Sequence, residues 1–300
     1  MTSINLETLF TIIYVLVDDW YQATEQVAAG KPGVAATLTD SEVLTLMVAH
    51  DYIPYPGERQ YMGYMRANHP GLFPHLLDQS QYHRRSRQLQ RTLEALRQHW
   101  VSLLVGSDTQ MLLLDTKPIP VVGMKRSKKQ SDFAGSAAYG YCAARQMKYF
   151  GYKLVMLTTL EGVPLIYDLV AANLGEREAA TAVLLRVQHR LILGDKGFIG
   201  VEWQREMQEA THNTVLTHKR HNQVEQNPSA FDRLLGKFRE RIETTFHQIQ
   251  NTGRNVERLL AKTIEGLTTR VVQKVTALVL RLLLRRDFGI DVQSFQILPF

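Results

Sequence analysis

Two hydrophobic rhythms divide this chain. From residue 5 to about residue 105 apolar side chains recur every three or four positions, with Leu6, Phe10, Ile13, Tyr14 and Val17 marking the first helical face. Thr39-Asp40-Ser41-Glu42 has the form of a capping box and opens the run Val43-Leu44-Thr45-Leu46-Met47-Val48, so a helix is predicted to start there. Pro54, Pro56 and Gly57 stop it. A short helix is predicted over 58–67 and, beyond Pro70, Gly71 and Pro74, a longer one over 80–104. The helices at 39–51 and 58–67 have the spacing of a helix-turn-helix.

Past the polar stretch Gly106–Gln110 the rhythm changes. Met111-Leu112-Leu113-Leu114 shows no alternation, as expected of a strand covered on both faces, and closes on Asp115. The runs 152–159 and 163–170 flank Leu160-Glu161-Gly162 and predict a hairpin, with Gly162 free to take positive φ. A helix over 176–189 follows, then a strand Leu191–Gly194 that closes on Asp195. A helix near 201–210, a short strand at 214–217 and a helix beginning near Phe231 complete the series. Strand, hairpin, helix, strand, helix, strand, helix is the order of an RNase H-like mixed sheet flanked by helices. The predicted class is α/β, preceded by an all-α N-terminal domain. In such a sheet the strands ending in Asp115 and Asp195 are neighbours. A last helix over 254–286 carries Ile264, Leu267, Val271, Val275, Leu278 and Leu282 with basic residues between them. It predicts a helix packed on the sheet, or the seam of a dimer.

Charge at a strand exit needs a reason, because a carboxylate there loses hydration unless a partner or a cation offsets it. Asp115 and Asp195 are two such acids, and Glu243 is a third. It flanks the stripe Phe231, Leu234, Leu235, Phe238, Ile242, Phe246 and Ile249 of its helix, with Arg239 one turn before it. Oxygen donors of this kind suit Mg²⁺ or Mn²⁺, and a pair of such ions can clamp the attacking and leaving oxygens of a phosphoryl transfer. Lys and Arg outnumber Asp and Glu by 35 to 29, for a net charge of +6, which makes nucleic acid the expected substrate. Candidate phosphate contacts are Lys125, Arg126, Lys128 and Lys129 after the Asp115 strand, Arg84, Arg85, Arg87 and Arg91 on the long N-terminal helix, Lys219 and Arg220 after the last strand, and Arg239. Cys142 is the only cysteine, which excludes an intrachain disulfide and a thiolate zinc site, and His218 with His221 are too few to hold zinc. No run approaches about 18 apolar residues and no signal peptide is visible, so no membrane partner and a cytoplasmic location are expected.

The segments Leu112-Leu113-Leu114-Asp115-Thr116-Lys117-Pro118, Leu193-Gly194-Asp195-Lys196-Gly197-Phe198 and Arg239-Glu240-Arg241-Ile242-Glu243-Thr244-Thr245-Phe246 resemble the three active-site segments of bacterial insertion-sequence transposases with an Asp-Asp-Glu triad. Upstream, Leu38–Leu44 and Tyr64–Pro74 resemble the helical N-terminal region of one group of them, so the resemblance spans about 37 to 250. It implies that Asp115, Asp195 and Glu243 are the catalytic residues and the ligands of two Mg²⁺ or Mn²⁺ ions. It further implies cleavage of double-stranded DNA at terminal inverted repeats, then attack of the freed 3′ hydroxyl on target DNA by a homodimer or higher multimer. The domains it implies are a DNA-binding and assembly domain at 1–105, a catalytic domain at 106–255 and a helical extension at 256–300. Relatives often carry Tyr and Lys around the third acid, whereas Gly236 and Gln250 stand there in this chain, which puts a hairpin route to excision in doubt. A structure-specific nuclease or resolvase on the same fold, and a transposase-derived DNA-binding protein that no longer cuts, are the alternatives.

Overall fold

The computed structural model describes residues 4–24, 36–123, 131–219, 226–251 and 255–292. The chain forms two compact units, residues 1–100 with 249–300, and residues 101–248.

The first unit is helical. Helix α1 (Leu6–Ala23) is capped by the Asn5 side chain, which accepts from the Thr8 N–H at 2.8 Å. Helix α2 (Asp40–Ala49) opens on the expected capping box: Thr39 Oγ1 accepts from the Glu42 N–H, and the Glu42 carboxylate accepts from the Thr39 N–H. Helices α3 (Glu58–Asn68), α4 (Gln79–Gln88) and α5 (Gln90–Leu104) follow, and the single helix predicted over 80–104 is broken at Leu89. Helix α2 is buried from Val43 to Ala49, which leaves it no free face for a duplex; α3 exposes Arg59, Arg66 and Asn68.

Helix α9 (Ile264–Phe288) supplies the centre of this unit, packing on α2 and α4. Within the unit it lies among helices and not on a sheet, contrary to the sequence expectation. The physical reason is long-range ion pairing. Its apolar residues Val271, Val275 and Leu278 are buried, and so are Arg270, Gln273 and Lys274 between them. Lys274 Nζ donates to Asp51 Oδ1 at 2.8 Å, with both side chains almost wholly enclosed. Arg270 donates to Glu58 Oε1 at 3.0 Å, and Glu58 also accepts from Gln79 and lies 2.9 Å from His83 Nδ1. Burial works to raise the Glu58 carboxyl, but Arg270 and His83 outweigh it and hold it below its ordinary value. The Tyr52 hydroxyl donates to the Ala277 carbonyl at 2.6 Å.

The second unit is a mixed sheet. Strand β1 (Met111–Pro120) pairs antiparallel with β3 (Met147–Thr159), and β3 pairs antiparallel with β4 (Pro164–Ala171) through the expected turn, where Gly162 takes φ 87°. On its other edge β1 pairs parallel with β5 (Leu191–Gly194), and β5 pairs parallel with β6 (Thr214–Thr217). Helices α6 (Glu176–Leu184) and α7 (Val201–Thr211) make the crossovers, and α8 (Ser229–Asn251) follows β6. This arrangement is the RNase H-like fold, with one addition: β2 (Ala138–Cys142) extends the sheet along residues 147–151 of β3. One core joins Leu112, Leu114, Val155, Leu157 and Ile192 of the sheet to Ala180, Val183 and Leu184 of α6 and Trp203 and Met207 of α7. Helix α6 ends at Leu184, five residues earlier than expected. The buried Asn213 amide donates to the carbonyls of Leu184 and Val187, satisfying a helix end from outside the helix.

Candidate active site beside two parallel strands

The β1–β5 register decides where the two aspartates stand. Leu112 is level with Ile192, Leu113 with Leu193 and Leu114 with Gly194, so the next residues, Asp115 and Asp195, stand side by side. Asp195 leaves β5 there, but Asp115 does not close its strand as the sequence predicts: β1 runs on to Pro120 because β3 continues to pair with it, Asp115 lying opposite Met156. Each carboxylate accepts a local backbone N–H: Asp115 Oδ1 from Thr116 at 2.7 Å, and Asp195 Oδ1 from Gly197 at 2.7 Å, where Asp195 caps the short turn Lys196–Phe198. Burial pushes the Asp115 carboxyl up to about 7, aided by the charges of Asp195 and Glu176 and opposed by the Thr116 N–H and by Arg239. A buried acid beside another acid is a site short of positive charge.

Glu176, the first residue of α6, is a third carboxylate here that sequence reading passes over. Burial and the neighbouring Asp195 raise its carboxyl, against the pull of Lys153 and a hydrogen bond from Thr116. Its only sequence signal is its place just after Gly175 at a helix start, where acids are common for dipole reasons alone.

Glu243 stands differently. It lies on the exposed side of α8 and pairs with Arg239 Nε at 3.0 Å, both side chains more than half exposed. Arg239, by contrast, joins Asp115, Asp195, His218, Phe238 and Ile242 in lining a small hollow. Among the described residues no three His, Cys, Asp or Glu side chains converge closely enough to hold a metal ion. The donor set nevertheless fits a hard divalent cation at two positions, since Asp115 and Asp195 offer carboxylate oxygens whose mutual repulsion a cation would relieve. Glu243 would have to leave Arg239 to join them.

Of the candidate phosphate contacts, Arg84, Arg87 and Arg91 are exposed on α4 and the start of α5. Arg85 is engaged instead as a clamp, its guanidinium donating to the Asp40 carboxylate and the Leu38 carbonyl. Lys219 is half-buried at the end of β6, and His218 before it lies 3.2 Å from Asp232 Oδ1. Lys125, Arg126, Lys128, Lys129 and Arg220 lie outside the described residues. No described helix is long and apolar enough to cross a membrane.

Neither a curated protein nor a solved structure matches the chain. A sequence profile described as "Transposase DDE domain" does, over residues 106–280, which is more than half of the chain and includes the whole sheet and both aspartates. By that match, on this fold, the chain belongs to the DDE transposases of the insertion-sequence type.

Proposed function

We propose that the protein cuts double-stranded DNA at the terminal inverted repeats of its element and joins the freed 3′ hydroxyl to target DNA, with Asp115, Asp195 and Glu243 as its catalytic carboxylates. The observation that carries the reading is the parallel register that sets Asp115, within β1, beside Asp195 at the end of β5. Two Mg²⁺ or Mn²⁺ ions, when bound, would supply an activated water and offset charge on the attacking and leaving oxygens. The chain's own part is positioning and charge. Asp115 and Asp195 would hold the cations, and the backbone N–H groups of Thr116 and Gly197 fix their carboxylates in place. Near neutral pH the raised Asp115 carboxyl keeps a share of protons, which cation binding would displace. Arg239, in the hollow beside both aspartates, is suited to a phosphate oxygen. If it turns to DNA it releases Glu243 toward the aspartates, so that one substrate contact would complete the triad. Arg84, Arg87 and Arg91 would contact backbone phosphates along the flanking duplex. The active form would be a homodimer or higher multimer, working in the cytoplasm.

The test is Mg²⁺-dependent cleavage of linear DNA carrying the element's ends, with Asp115→Asn, Asp195→Asn and Glu243→Gln beside the wild type. The expected result is cutting at the element boundary by the wild type and a loss of several orders of magnitude in each variant with DNA binding retained, since the ions supply most of the charge stabilisation. A wild-type rate in any one of them removes that residue from the site. A pre-cut end then separates joining from cutting: a nuclease or resolvase would cut and not join. The exposed Glu243–Arg239 pair gives weight to a second reading, a transposase-derived protein that binds DNA without cutting, and specific binding with no cleavage under any metal would establish it.

A further inference from the structure

Glu176 has no assigned part in this chemistry, yet its surroundings are specific. It begins α6 directly after Gly175, half-buried, while Glu178 in the same turn is exposed. Its carboxylate accepts a hydrogen bond from the Thr116 hydroxyl, the residue next to Asp115. Its Oε2 occupies the space above Gly197, where a methyl group would lie 1.3 Å from that oxygen and 3.0 Å from Asp195 Oδ1. Gly197 is also the residue whose N–H holds Asp195. One side chain from α6 therefore touches Thr116 and Gly197, the residues that hold the two aspartates, and the absence of a side chain at 197 makes its seat.

We infer that Glu176 is a positioning residue of the Asp115–Asp195 pair: it ties Thr116 of β1 to the Gly197 turn after β5 and adds the negative charge that makes the pair a cation trap. The inference rests on the reading of those two aspartates as the cation-holding acids. The helix start and Lys153 favour an acid at 176, but burial and Asp195 outweigh them and raise its carboxyl. A glutamine there would accept the Thr116 hydroxyl equally well and would remove a like-charge repulsion with Asp195. A negative group kept against electrostatic cost, at the centre of a site, is a group held for function.

The experiment uses the full chain and two readouts that need no DNA: melting temperature in EDTA, and Mn²⁺ binding followed by the paramagnetic resonance of the free ion. Glu176→Gln is expected to melt above the wild type in EDTA and to bind Mn²⁺ roughly tenfold more weakly, the size typical of groups that support metal ligands. Gly197→Ala places its methyl on Oε2, evicts the carboxylate without changing any acid, and is expected to weaken Mn²⁺ binding to a similar degree. Glu178→Gln, on the same helical turn, is expected to change neither readout. If Glu176→Gln melts below the wild type in EDTA, the side chain is a structural strut and the inference falls. The same holds if both Glu176→Gln and Gly197→Ala bind Mn²⁺ as the wild type does while Asp195→Asn does not. Unchanged Mn²⁺ binding in Asp195→Asn would instead overturn the underlying reading of the aspartates.

Discussion

Asp115 makes the metal-free protein a pH-dependent structure, with a sign opposite to that of a salt-bridged acid. Its carboxyl titrates near 7 in the folded chain against 3.8 ordinarily, because burial and the charges of Asp195 and Glu176 disfavour its ionised form. Between those two values the folded state holds a proton that the unfolded state has released. Stability therefore falls as pH rises from about 4 to about 7, and then levels off. A difference of roughly three pH units at about 1.4 kcal/mol each puts the loss at about 4 kcal/mol. Asp115→Asn keeps the acceptor for the Thr116 N–H and cannot ionise. Its stability relative to the wild type should thus be near zero at pH 4 and favourable by up to about 4 kcal/mol at pH 8. Carboxyls whose values are lowered in the fold, Glu58 and Asp232 among them, slope the other way but cancel in the difference. Guanidinium denaturation of both proteins in EDTA from pH 4 to pH 8 measures it. Adding Mg²⁺ at pH 8 should raise the wild type and leave the variant nearly unmoved, because only the wild type has the charge to gain. A wild-type-minus-variant difference that stays flat across the range would refute the argument that burial and like charge strain this site.

Four further outcomes follow from other parts of the molecule. Lys274→Met strands the Asp51 carboxylate in the interior and should cost about 3–5 kcal/mol in denaturant unfolding, whereas replacing both partners with apolar residues should recover most of it. Gly151→Ala would put a methyl 2.1 Å from the Ile119 carbonyl, where backbone and not a flexible side chain must move; destabilisation of about 3 kcal/mol or more is expected by thermal melting. Replacing Arg84, Arg87 and Arg91 together by Ala should weaken binding to any duplex and make the slope of log K against log salt shallower by about 3, one unit per phosphate contact, as read by fluorescence anisotropy. Arg85→Ala, by removing the clamp on Asp40 and Leu38, should lower the melting temperature and leave that slope unchanged.

What the sequence makes legible is what is local. The start of β1 at Met111, the Gly162 turn, the capping box at Thr39 and the exit of β5 at Asp195 each follow from a few adjacent residues, and each stands where the pattern puts it, whereas β1 runs five residues past Asp115 because β3 pairs with it as far as Pro120. Features set by distant partners do not read this way. Strand β2 carries Gly140 and only five residues, and it exists because β3 begins at Met147 and offers it an edge. The early end of α6 is fixed by Asn213, nearly thirty positions on. Arg270 and Lys274 look like a solvated stripe until Glu58 and Asp51, more than two hundred residues earlier, neutralise them. At the site, Asp115 and Asp195 are visible because a charge directly after an unbroken apolar run is rare, although only Asp195 ends its strand. Glu176 is not visible, since an acid at a helix start is ordinary, and its meaning depends on Thr116 and Gly197 meeting it from two other elements.

The burial of α9 among the first helices has a consequence for synthesis. Its partners Asp51, Tyr52 and Glu58 leave the ribosome long before Arg270, Lys274 and Ala277 do, with the entire sheet made in between. The sheet unit is a continuous stretch and can close as it emerges, but the helical unit stays open until the last helix arrives. A chain cut short before α9 would leave Asp51 without Lys274 and Glu58 without Arg270, and would uncover the side of α2 that packs on α9. Translation through α9 is thus needed to complete the buried ion pairs of the helical unit, so that the order of the chain makes this unit the later of the two to close.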